Sequence, residues 1–121
     1  ALGRLVGERM QVDLALTALL SLAVVQPVVE ELVFRGALQG SLLDRGLARQ
    51  FGPVSVANLG TTVAFVALHF MAQPPAWALA VAAPSLVFGH VRERFSSVLP
   101  AMALHFIYNA GFAVTAWWVH H

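Results

Sequence analysis

Long apolar runs alternate with short polar interruptions along this chain, and the runs are the first guide to its elements. From Gln50 to Val91 there is no Asp, Glu, Lys or Arg. That is about twice the roughly 20 residues that carry a helix across a bilayer. The stretch must fold back on itself, and Gln73-Pro74-Pro75 is the turn it offers. The pattern predicts one helix near residues 54–71 and another near residues 76–91. Phe51-Gly52-Pro53 opens the first, with Pro at a helix start, where its missing N–H does no harm. A third apolar run, residues 98–119, has Pro100 in its first turn. It ends near Trp117 and Trp118, which suit an interfacial aromatic belt. A fourth run, residues 12–29, carries one early charge, Asp13, and is interrupted at Gln26-Pro27.

Residues 28–47 read differently. Leu32, Val33, Phe34, Ala37, Leu38, Leu42 and Leu43 alternate with Glu30, Glu31, Arg35 and Gln39 in an amphipathic helical pattern. Such a segment lies at the interface or crosses with its polar face shielded by other helices. Arginines fall at positions 4 and 9, 45 and 49, and 92 and 94. If residues 28–47 cross, all three groups share one side, as the positive-inside rule expects. The expected fold class is therefore all-α, a polytopic transmembrane bundle of about five helices in a single domain, residues 1–121. No strand is expected, because open sheet edges cannot face lipid.

Composition supports this. Hydrophobic residues make up 59% and charged residues 11%, against a usual charged share of about 25%. The mean hydropathy is +0.75. The net charge of +1 gives no electrostatic pull toward nucleic acid. The absence of cysteine excludes disulfides and thiolate zinc sites. No small-residue cleavage site follows the first apolar run, so no signal peptide is expected. The chain starts at Ala1 rather than Met, so a segment upstream of it is expected.

Against this apolar background the ionisable groups stand out, since a charge at the bilayer centre costs at least about 2.5–3.5 kcal/mol. Glu31 and Arg35 are i,i+4 neighbours on a helix and can pair. Glu30 projects about 100° from Glu31 and is left to face a cavity, where a carboxylate can activate water. The bland alternative is a solvated helix start, which favours acids. His69 closes Phe65-Val-Ala-Leu-His69, where a packed, hydrogen-bonded histidine competes with a functional one. His105 and Asn109 share a face of the last apolar helix. They are placed either to donate to a developing oxyanion or to bond between helices as glue. His90, beside Arg92, reads as interfacial, and His120 and His121 are terminal. Together the clusters supply a base, an Arg-paired acid, two imidazoles and an amide, an inventory for hydrolysing an acyl bond. There is no HExxH, and Ser21, Ser41, Ser55 and Ser85 lack a GxSxG elbow.

Pro27-Val-Val-Glu30-Glu31-Leu-Val-Phe-Arg35-Gly36 resembles the EExxxR motif of the CPBP family, the CAAX-protease and bacteriocin-processing proteins also called Abi. Phe65 to His69 is similar to that family's FxxxH motif, and His105 to Asn109 to its HxxxN motif. The resemblance covers roughly residues 12–119. It implies an all-helical intramembrane endopeptidase, related to the eukaryotic prenyl-protein endopeptidase and expected in the bacterial cytoplasmic membrane. It implies Glu30 as the base that activates water, His69 as a holder of that water, and His105 with Asn109 as the oxyanion site. Glu31 and Arg35 would orient Glu30. The substrates implied are membrane-associated or lipidated peptides or proteins. The family has also been described as metalloproteases, which would make Glu30, His69 and His105 ligands of a divalent metal such as zinc. The glutamate-activated water is preferred, because no closely spaced ligand pair prebuilds a metal site. Two other readings stand beside the protease. One is a non-catalytic membrane factor of the same fold, in bacteriocin immunity or as a partner protein. The other is a proton-relaying transporter fragment.

Overall fold

In the computed structural model the chain is all-α, and residues 1–121 are described except for the side chains of Leu22 and Ala23. Its first third is one helical rod. Helix α1 (Leu2–Leu20) runs into a π-helical turn (Ser21–Val25), then α2 (Gln26–Glu31), a second π-helical stretch (Leu32–Gln39) and α3 (Gly40–Asp44). The junction residues Ser21, Gln26, Leu32 and Gly40 all keep right-handed helical dihedrals. The break expected at Gln26-Pro27 therefore does not occur. A proline inside an α-helix clashes with the carbonyl four residues back. Here the turn before it is widened, since the Gln26 N–H reaches five residues back to the Ser21 carbonyl. The helix runs on through Pro27, which is buried. Consequently Arg4 and Arg9 lie at the opposite end of this helical run from Arg45 and Arg49.

The rod stops where glycine permits it. Gly46 adopts φ 86°, the Gly46 N–H bonds to Leu43 O at 3.1 Å, and the Leu47 N–H bonds to Leu42 O at 3.1 Å. This is the Schellman pattern, closed by a left-handed residue just past the helix. A short hairpin follows, contrary to the expectation of no strand. β1 (Gln50–Phe51) pairs antiparallel with β2 (Val54–Ser55), with Gln50 opposite Ser55 and Phe51 opposite Val54. Gly52, at φ 64°, starts the two-residue loop that Pro53 completes. Proline thus serves the turn, and Ser55 opens the next helix by accepting from the Asn58 N–H at 3.0 Å.

Helices α4 (Val56–Phe70), α5 (Pro75–Ala80), α6 (Ala82–Arg94) and α7 (Leu99–His120) complete the body. With the rod counted as one they make the five helices expected, divided differently. The expected helix over residues 76–91 is split at Val81, because Pro84 has no N–H for the Ala80 carbonyl. Helix α4 packs closely on α6 where Gly89 meets Asn58, and a Cβ at Gly89 would collide with the Asn58 side chain.

The interior is polar and the exterior apolar. Among the described residues the buried apolar set is Phe34, Ala57, Phe65, Ala78, Phe88 and Ala101, alongside Pro27. Nine polar or charged residues are also buried, Glu31, Arg35 and Gln39 completely. Large apolar side chains lie exposed on the rod, on α4 and along α7. Water-soluble proteins distribute these classes the other way. Among the described residues one helix, Leu99–His120, is both long and apolar enough to cross a bilayer.

Candidate active site

Glu30 and Glu31 end α2, and the second π-helical stretch carries Arg35 onto the same buried face. Glu31 is completely buried, whereas 27% of the Glu30 side chain is exposed. The two neighbours therefore diverge as helical spacing demands. Glu31 points inward: its Oε2 lies 3.4 Å from Arg35 Nε, and its Oε1 lies 2.9 Å from His105 Nδ1. A carboxylate paired with arginine only accepts, so His105 donates through Nδ1–H. The opposite ring nitrogen, Nε2, then faces Glu30 Oε2 at 3.6 Å. His105 is also stacked on Phe88, centroids 4.8 Å apart at 23°. One imidazole on α7 is thus clamped between both glutamates of the rod.

Beside this clamp is a cavity of about 830 Å³. Glu30, His69, His105 and Asn109 line it, with Phe65, Phe88, Tyr108, Phe112 and Trp77 among its apolar walls. His69 comes from the last turn of α4. Its Nδ1 is 2.8 Å from Phe65 O, and its ring lies 4.5 Å from that of Phe65. Because a carbonyl accepts only, Nδ1 carries the proton and Nε2 is the nitrogen left for the cavity. Asn109 follows one turn after His105 on the same wall. Glu31 and Arg35 do not line the cavity and stand behind it. His90 is elsewhere, its Nδ1 2.9 Å from Pro53 O at the hairpin.

Ser85, Thr62 and Phe88 were not singled out in the sequence as members of the site. Arg35 Nη2 donates to Ser85 O at 2.7 Å and to Ser85 Oγ at 2.5 Å. Ser85 Oγ is 2.8 Å from Thr62 Oγ1. The guanidinium also lies over Phe65 at 4.8 Å and Phe88 at 5.5 Å. The available signal was a hydroxyl inside each of two apolar helices, but only the fold brings Ser85 to an arginine 50 residues away and Thr62 to Ser85. Among the described residues no three His, Cys, Asp or Glu side chains group at metal-ligand spacing.

The arrangement defines a class: an all-helical protein whose ionisable groups converge on a cleft between helices, under an apolar exterior. The family described as type II CAAX prenyl endopeptidase, Rce1-like, has a model that matches residues 12–111. The chain belongs to this family of membrane-embedded proteases. No curated protein and no solved structure matches it.

Proposed function

We propose that this protein is an intramembrane endopeptidase that hydrolyses membrane-associated or lipidated peptides with a water activated by Glu30. The observation that carries the reading is the division of labour between the adjacent glutamates. Glu30 faces the cavity, while Glu31 is buried and bound to Arg35 and His105. The inverted distribution of polar and apolar side chains supports a lipid setting, where helices associate through buried polar contacts and close packing.

Glu30 takes a proton from water as the water oxygen bonds to the scissile carbonyl carbon. His69 Nε2 helps hold that water. The carbonyl oxygen gathers negative charge, and the Asn109 amide and an N–H at His105 Nε2 donate to it. Glu30 then returns its proton to the leaving nitrogen, the C–N bond breaks, and a carboxylic acid and an amine leave. The mechanism uses only these side chains and water.

The test is cleavage of prenylated and unprenylated peptides by detergent-purified protein, with Glu30→Gln and a strong chelator as comparisons. Removing a general base costs on the order of 10²–10⁴-fold in rate. We expect Glu30→Gln to lose that much while remaining folded, and the chelator to leave the rate unchanged. Wild-type activity in Glu30→Gln would overturn the role of Glu30, and loss with chelator would assign the water to a metal. No cleavage by folded wild-type protein would favour a non-catalytic membrane factor.

A further inference from the structure

Arg35 is completely buried, yet its guanidinium makes its hydrogen bonds away from its carboxylate partner. Among the described residues, Nε and Nη1 have no hydrogen-bond partner, and Nη2 gives both of its bonds to Ser85. Glu31 contributes a charge at 3.4 Å, but its Oε2 accepts no hydrogen bond. The position of the guanidinium is therefore set by α6, together with the aromatic faces of Phe65 and Phe88.

The hydroxyl that receives Arg35 is itself held. Thr62 Oγ1 lies 2.8 Å from Ser85 Oγ and 3.5 Å from Asn58 Oδ1. The carboxamide oxygen can only accept, so Thr62 donates to Asn58. Ser85 Oγ already accepts from Arg35, so its own proton goes to Thr62. All the donors then point the same way along the chain, an arrangement in which each bond polarises the next. Asn58 is anchored in turn, its Nδ2 donating to Leu86 O at 2.9 Å.

We propose that Ser85 and Thr62 are positioning residues of the site. They fix the Arg35 charge behind Glu31, so that Glu31 keeps Oε1 for the Nδ1–H of His105 and His105 turns Nε2 toward Glu30. The consequence for catalysis rests on the reading of Glu30 given above. The positioning itself is a statement about His105 and is measurable without turnover.

The experiment is ¹⁵N-histidine NMR of the full chain in micelles, with the His105 signals assigned by their loss in His105→Gln. Wild type is expected to show His105 protonated at Nδ1. Ser85→Ala and Thr62→Val, which remove the hydroxyls, are expected to move the His105 Nδ1 signal from its wild-type position as the bond to Glu31 loosens. Thr62→Ser keeps the hydroxyl and the wild-type pattern. His69, held by the Phe65 carbonyl, stays unchanged throughout and serves as the reference. In the cleavage assay the two hydroxyl-free variants are expected to lose about tenfold to a hundredfold in kcat, as misplaced catalytic groups do, with KM little changed. If the two hydroxyls were only interhelical glue, the variants would melt earlier but keep the wild-type His105 signals when folded, and the proposal would fall. Should Ser85→Ala fail to fold, the isosteric Thr62→Val decides the question alone. If wild type cleaves no peptide, the protease reading fails, and the His105 signals still decide the positioning.

Discussion

Arg35 joins the part of the site that faces the cavity to the part that holds it in place. Its removal leaves the buried Glu31 carboxylate without a countercharge, and stranding one partner of a buried pair costs about 3–5 kcal/mol. Arg35→Met, which keeps the length of the side chain, is expected to destabilise by about that much. Glu31→Gln combined with Arg35→Met should regain a large part of the loss, because the stranded charge is gone. Thermal unfolding in detergent, analysed as a double-mutant cycle, measures this coupling; additive effects would mean that the pair contributes nothing. The pairing of Glu31 with Arg35, and the divergence of Glu30 from it, were legible because they are consequences of helical spacing within six residues. The partnership of His105 with both glutamates was not, since it joins positions 74 residues apart. Ser85 and Thr62 were illegible for the same reason. A lone hydroxyl in an apolar helix reads as neutral until the fold brings an arginine to it.

At the scale of elements, three prolines show where sequence reading succeeds and fails. Pro100 sits in the first turn of α7 as expected. Pro27 looked like a break and is accommodated, because a π-helical turn precedes it. Pro84 passed as part of a continuous apolar run and marks the split between α5 and α6. Widened turns have no reliable residue signature, so a continuous rod and a kinked pair look alike in sequence. The contact between α4 and α6 matters most for the site, since these helices carry His69, Thr62, Ser85 and Phe88. Gly89 sets their closest approach, and its carbonyl accepts from Gln39 Nε2 of the rod at 3.1 Å. Gly89→Ala would drive a methyl into Asn58 and push the helices apart. Overpacking of this kind costs about 1–3 kcal/mol. We expect a lower melting temperature of that order and a weakened cleavage rate, because Asn58 is the anchor of Thr62. A variant with wild-type stability and rate would show that α4 and α6 shift freely.

The whole molecule carries its polar groups inside and its apolar ones outside, and its longest element is a rod of roughly 60 Å at about 1.5 Å per residue. That is about twice the thickness of a hydrocarbon core, so a rod that crosses leaves its two ends on opposite sides. No residue of α1 is buried, so this end projects from the body. It carries Arg4, ion-paired with Glu8 at 3.5 Å, and Arg9. At the other end Arg45 and Arg49 follow the rod, and Glu93 ties in the end of α6 through Gln39 at 2.6 Å and Gln50 at 3.3 Å, bringing Arg92 and Arg94 close. Four arginines against two favour that end for the cytoplasm under the positive-inside rule. With no cysteine in the sequence, single-cysteine variants report position without background. Gly7→Cys, at an open site on α1, and Ala48→Cys, exposed beyond the rod, are the two to make. An impermeant maleimide applied to intact cells is expected to label Gly7→Cys and to reach Ala48→Cys only after permeabilisation. Labelling of both from the same side would place the rod along the membrane surface. Glu30 would then approach its substrate from the interface and not from within the bilayer.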